Sequence, residues 1–212
     1  MRKKLEDLKK DLIQMYFDKI EVLEQESNIE NSMLFLENIV NTRVSLGTAG
    51  DDFLTIDKLR ERLLKSKTLS PKENVLLGVL GYLLLAEGVI CNCLNFTSFL
   101  LVATGHDLFS QTKRSYVKEN MKEIVKVEMS TKIKFLNYHG FRALTKEYDS
   151  TFRNDIAHHN YSIDEKGVLL VRGKPVTISS KLISLKPIIK FYLETTGEME
   201  KKLEKMLKDQ LQ

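Results

Sequence analysis

Apolar residues recur at helical spacing along most of this chain. Between residues 1 and 25, Leu5, Leu8, Leu12, Met15, Tyr16, Ile20 and Leu23 fall mostly three or four apart, with Lys and Glu between them. That is the pattern of a helix that buries one face. The same reading predicts a second helix over residues 29–44 and a short third one over 56–65. Between them, Leu46 to Asp52 (LGTAGDD) clusters two glycines with two aspartates and predicts a loop. The sharpest boundary is Ser70-Pro71-Lys72-Glu73. Ser at the N-cap, Pro at the first helical position and Glu three after the cap form a capping box. A long apolar helix then runs to about Ala103 and ends at Gly105-His106-Asp107.

Helical spacing resumes at residues 113–138, Gly140 breaks it, and a further helix runs from about Arg142 to His158 or His159. The period then shortens to two. Tyr161-Ser162-Ile163 and Val168-Leu169-Leu170-Val171, flanking Asp164-Glu165-Lys166-Gly167, predict a β-hairpin. Gly173-Lys174-Pro175 turns into Val176-Thr177-Ile178, and a last helix starts near Ser184. Pro187 suits its first turn, where N–H groups have no helical partner. The fold expected is all-α, a helical bundle with a small β-hairpin between the last two helices. Residues 1–66 form an N-terminal helical extension and residues 71–212 the bundle.

Composition supports this picture. Three prolines and ten glycines in 212 residues leave few helix breakers, and 42% hydrophobic with 29% charged residues is ordinary for a globular chain. A net charge of +4 permits a nucleic-acid partner without requiring one. Cys91 and Cys93 are two apart on a predicted helix and point to different sides, so a disulfide is not expected. With no apolar run behind Met1-Arg2-Lys3-Lys4, there is no secretory signal, and a reducing cytoplasm is the expected location. Residues 75–102 are long and apolar enough to span a bilayer, with Glu87 as the one charge. A charge in mid-membrane costs on the order of 3 kcal/mol, so a buried bundle helix is the better account and no membrane partner is expected.

The stretch that carries chemistry is Arg153-Asn154-Asp155-Ile156-Ala157-His158-His159. Arg is a permanent planar cation that matches phosphate oxygens in pairs. His gives and takes protons near neutral pH. Together they suffice to cut RNA without metal: a base removes the ribose 2′-OH proton, the oxygen attacks the adjacent phosphate, and a cation holds the developing charge. Asn154 and His158, four apart, share a helix face, so the amide is placed to orient the imidazole. Arg153 and His158 lie about 140° apart around an ideal helix, so one helix does not aim both at one point. A two-fold homodimer that pools two such helices in one groove solves that problem. A purely structural account also exists, with Asp149 pairing Arg153 one turn on and His158 favoured by the helix dipole.

Arg153-Asn154-Asp155-Ile156-Ala157-His158 resembles the Arg-x4-6-His motif of the HEPN (higher eukaryotes and prokaryotes nucleotide-binding) superfamily, and the order of elements over roughly residues 71–212 is similar to that family. The resemblance implies a helical bundle, a homodimer with a composite site, and in many members a metal-independent endoribonuclease of toxin–antitoxin, phage-defence or CRISPR systems. Arg153 and His158 match the two catalytic positions, and Asn154 the polar position beside the Arg. Some toxin members carry a Tyr two after the His, modified by a partner. Counted from His158 that position is Asn160; counted from His159 it is Tyr161, so either histidine fits the motif. Other members bind or scaffold without cutting.

Supporting candidates are weaker. Glu87, with Asp155 and Tyr161, either serves the Arg153 groove or makes structural contacts; a buried carboxylate needs a partner in both cases. Lys118 and Lys122, with Arg114 and Lys126, form a basic stripe that suits a phosphate backbone, although Glu119 and Glu123 alternate with it as on a solvated face. His139, His158, His159 and the cysteines lack metal-ligand spacing. With no phosphate-cradling loop, dinucleotide fingerprint or nucleophile elbow, no metal and no cofactor are expected. The function expected is cleavage of single-stranded RNA by 2′-OH attack, with an antitoxin or regulatory protein as a further partner. The alternative is a non-catalytic module that binds nucleotide, RNA or protein.

Overall fold

A computed structural model describes residues 5–25, 29–108 and 121–210. The chain is mostly helical: α1 (Leu5–Gln25), α2 (Ile29–Lys65), α3 (Pro71–Leu83), a π-helical segment (Leu84–Ile90), α4 (Cys91–Ala103), α5 (Met121–Lys126), α6 (Met129–Tyr138), α7 (Arg142–Thr145), α8 (Ser150–Ala157) and α9 (Ile178–Gln210). Between α8 and α9 lie β1 (Tyr161–Ile163), β2 (Leu169–Val171) and β3 (Lys174–Val176). The expected hairpin is therefore a three-stranded antiparallel sheet in the order β1-β2-β3, with Tyr161 opposite Val171 and Val171 opposite Lys174. Arg172 and Gly173 both have positive φ (51° and 73°), the conformation a two-residue turn between β2 and β3 requires.

The chain divides into two compact units. The first comprises residues 1–43, 93–146 and 188–212. Its core gathers Leu8, Leu12 and Tyr16 of α1, Phe96, Phe99 and Leu100 of α4, and Phe191 and Tyr192 of α9. Phe35 stacks between Tyr16 and Phe99, with ring centroids 5.6 and 5.5 Å away, and burial pushes the Tyr16 hydroxyl up to about 12. Lys132 is buried, and its ammonium donates to Asn95 Oδ1 at 2.6 Å and to the Ile124 and Val125 carbonyls near the end of α5. A cation there satisfies carbonyls that the short helix leaves open.

The second unit comprises residues 44–92 and 147–187. Its core is built from Val79, Tyr82, Leu85, Ala86 and Ile90, with Phe152 and Ile156 of α8, Leu169 and Val171 of β2, and Leu185 of α9. The capping box is formed as expected: Ser70 Oγ accepts from Glu73 N, and Glu73 Oε2 accepts from Ser70 N at 2.8 Å.

Four local expectations are corrected. Residues 46–52 are helical, inside one continuous α2. A Cβ placed on Gly88 would lie 2.5 Å from Ala49 Cβ, so Gly88 lets Ala49 of α2 pack closely against the π-helical segment. That packing outweighs a helix penalty of about 1 kcal/mol per glycine. The helix expected over 142–158 is two short ones, because Asp149 caps a new start by accepting from Phe152 N at 2.9 Å. The last helix begins at Ile178, so Pro187 lies inside it and removes the N–H that would bond Ile183. Residues 127–128 separate α5 from α6 where one helix was expected.

Candidate functional site

Arg153 sits on α8, the short helix that Asp149 starts. Asp149 also receives Lys181 Nζ at 2.7 Å, and Lys181 lies over the Phe152 ring. Burial works against the ionised carboxyl, but the Lys181 ammonium and the Phe152 N–H prevail, and Asp149 stays ionised below its ordinary range. The pair Asp149–Arg153 suggested by spacing is thus replaced. Asp149 holds Lys181, and Arg153 turns to another element.

That element is the π-helical segment. The Cys91 N–H reaches back five residues to Ala86 O, and Glu87 stands near the middle of this widened turn. Glu87 Oε1 forms an ion pair with Arg153 Nε, and both atoms are closed to solvent, although the two side chains remain 39% and 28% exposed. Asn154 Oδ1 accepts from Arg153 Nη1 at 2.7 Å, so the guanidinium is held on two sides. The partner that Glu87 finds is thus Arg153. Asn92 donates Nδ2 to the Gly88 carbonyl within its own helix. Asn95 is the one that bonds across helices, to Lys132.

Behind the pair is a polar chain that sequence reasoning missed. Cys91 Sγ lies 3.9 Å from Glu87 Oε2 and 3.4 Å from the Tyr148 hydroxyl. Burial, with the neighbouring thiol, drives the Tyr148 hydroxyl far above its usual range. Tyr82 is raised too, by burial and by the negative charge of Asp149. Both phenols stay protonated. Their signal in the sequence is faint, because an aromatic at helical spacing looks like any core residue.

The histidines close α8. His158 is the C-cap, exposed, and its N–H still bonds Asn154 O at 2.9 Å, so it stands one helical turn above the residue that grips Arg153. His159 has φ +57°; its N–H bonds Ile156 O, and the Asn160 N–H bonds Asp155 O at 2.7 Å. This is a Schellman closure with histidine where glycine is usual. Asp155, 3% exposed, is a clamp: its two carboxylate oxygens take Arg172 Nε and Nη2 at 2.8 and 2.9 Å, which ties α8 to the β2–β3 turn. Tyr161 is half-buried at the start of β1.

The structure thus gathers Arg153, Asn154, Glu87, His158, His159, Asp155 and Tyr161 in the second unit. Lys118 and Arg114 lie outside the described residues, and Lys122 is described only by its place on α5. Lys126 pairs with Glu123 at 2.6 Å. Among the described residues no group of three or more His, Cys, Asp or Glu is placed to hold a metal ion. One helix, Pro71–Ala103, has the length and hydropathy to cross a membrane, and half of its most apolar window is buried within the protein. No protein-family model, no curated protein and no solved structure matches this chain.

Proposed function

We propose that this chain is a HEPN-like endoribonuclease that cuts single-stranded RNA without metal, acting as a cytoplasmic homodimer in a toxin or defence setting. The observation that supports it best is the fixed guanidinium. Arg153 is held by Glu87 and Asn154, and exposed His158 caps the same helix five residues on. Preorganised charge of this kind is what stabilises a phosphorane-like transition state. His158 takes the 2′-OH proton, the O2′–P bond forms, and the P–O5′ bond breaks. The leaving oxygen takes its proton from His158 of the partner subunit. The products are a 2′,3′-cyclic phosphate and a 5′-hydroxyl. The test is cleavage of mixed-sequence RNA in EDTA by the wild type, Arg153→Ala and His158→Ala. Cleavage only with Mg²⁺, or cleavage that survives both substitutions together, contradicts the proposal.

A second reading draws on the same pair. Glu87 already neutralises Arg153, as in a module that binds RNA or nucleotide without cutting it. Absence of cleavage across varied RNAs, with binding that Arg153→Ala weakens, selects this reading.

A further inference from the structure

His159 occupies a position made for glycine. A non-glycine residue with φ near +57° is uncommon and carries a steric penalty, and such outliers persist where the side chain is needed. The closure itself needs only backbone groups, the His159 and Asn160 N–H donors. The imidazole is therefore surplus to the fold at this point. It lies exposed with its ring centroid 6.1 Å from that of Tyr161, the planes 31° apart. Aromatic rings at such separations accept offset stacking.

The surroundings suit a nucleotide. Arg172 follows directly on Val171, which pairs with Tyr161 across the sheet, and its side chain is 66% exposed. Two of its guanidinium nitrogens are fixed on Asp155, whose backbone carbonyl receives the Asn160 N–H. A ring pair and a positioned cation thus flank the turn that carries His158. We propose that a nucleobase of the substrate stacks on the exposed His159 ring, backed by Tyr161, with Arg172 beside the adjoining phosphate. Two rings 6.1 Å apart leave too little room for a third between them, so the base extends the stack from the His159 side. The substrate class is single-stranded nucleic acid with an unpaired base at this position, since a base inside a duplex offers no free face. This proposal rests on the RNA-cleavage reading for its substrate, and it gives His159 a binding task distinct from the proton transfer assigned to His158.

The backbone supplies an unusually clean variant. His159→Gly removes the ring and relieves the positive-φ penalty, so lost binding cannot be ascribed to misfolding. The probe is a 2′-O-methyl RNA, which resists 2′-OH attack, carrying 2-aminopurine at successive positions. Wild-type protein is expected to quench the fluorophore at one position. His159→Gly should abolish that quenching and weaken binding about 5- to 150-fold, the effect of losing one stacked base. Tyr161→Leu should act in the same direction, and an abasic residue at the quenched position should remove the difference between wild type and variant. Equal binding and equal quenching by His159→Gly would overturn the stacking proposal, as would a wild type that quenches at no position. Quenching that depends on His159, from a protein that cuts no RNA, upholds the stacking site and rejects the cleavage mechanism. RNA cleavage that is unchanged in His159→Gly upholds the mechanism and rejects the stacking site.

Discussion

Glu87 and Arg153 meet as an ion pair between a π-helical turn and a two-turn helix, with Glu87 Oε1 and Arg153 Nε closed to solvent. The pair lies between a surface contact, worth a few tenths of a kcal/mol, and a fully buried one. Removing the acid alone leaves a half-desolvated cation. Glu87→Ala is therefore expected to cost about 1–3 kcal/mol in urea unfolding. A double-mutant cycle with Arg153→Ala should give a coupling of about 1 kcal/mol or more. Simple additivity would mean that the pair is incidental.

His159→Gly should stabilise the folded protein. Relief of the left-handed backbone penalty amounts to about 1 kcal/mol, which for a chain of this size raises the thermal midpoint by roughly 2–4 °C. The same substitution is expected to weaken RNA binding, so stability and binding should move in opposite directions. A drop in midpoint would show that the imidazole supports the fold.

Acid should weaken the protein in two stages. Burial and the neighbouring His106, whose ring centroid is 4.3 Å away, push the His139 imidazole below its ordinary range. With the folded value depressed, the unfolded chain binds the proton more readily. The stability that neutral His139 contributes is present above pH about 6.5 and is lost as pH falls below it. Asp149 is depressed too, so its contribution is present above the unfolded carboxyl range and is lost as pH falls through the lower folded value. Unfolding free energy measured against pH should decline first near neutrality, then again in acid. His139→Gln should flatten the first decline and Asp149→Asn the second.

Gly88→Ala tests the packing of α2. The new methyl would meet Ala49 Cβ at 2.5 Å, too close to stand, with little freedom on either helix. Overpacking of this kind costs about 1–3 kcal/mol. Gly47 and Gly50 meet nothing within 4 Å, so Gly→Ala there should be neutral or mildly stabilising.

These glycines also show where the sequence was readable and where it was not. The capping box at Ser70 and Glu73 and the strands at Tyr161 and Leu169 were legible, because their signals are local: a side chain bonding its own backbone, or a period-two alternation closed by a turn. The stretch 46–52 misled because glycine reads as a loop residue by propensity, while the contact made from this stretch, Ala49 against Gly88, depends on a residue far away in the sequence. The break at Asp149 was hidden by a competing account that gave the same aspartate to Arg153. For the site, the residue types were visible in Arg153, Asn154 and His158, and Glu87 stood out as a charge in an apolar run. Its pairing with Arg153, the Tyr148–Cys91 chain behind it and the Arg172 clamp on Asp155 depend on contacts between elements far apart in the sequence, which periodicity does not encode.

The central claim is that Arg153 and His158 drive attack by a ribose 2′-oxygen. Its most direct test is an RNA cut by the purified wild type in EDTA, compared with the same RNA carrying one 2′-deoxynucleotide at the cut site, with end groups identified by mass spectrometry. The account predicts a 2′,3′-cyclic phosphate from the all-ribose strand, no cut at the deoxy position, and no product from Arg153→Ala or His158→Ala. Cleavage at the deoxy position, or a 5′-phosphate on the product, would contradict it.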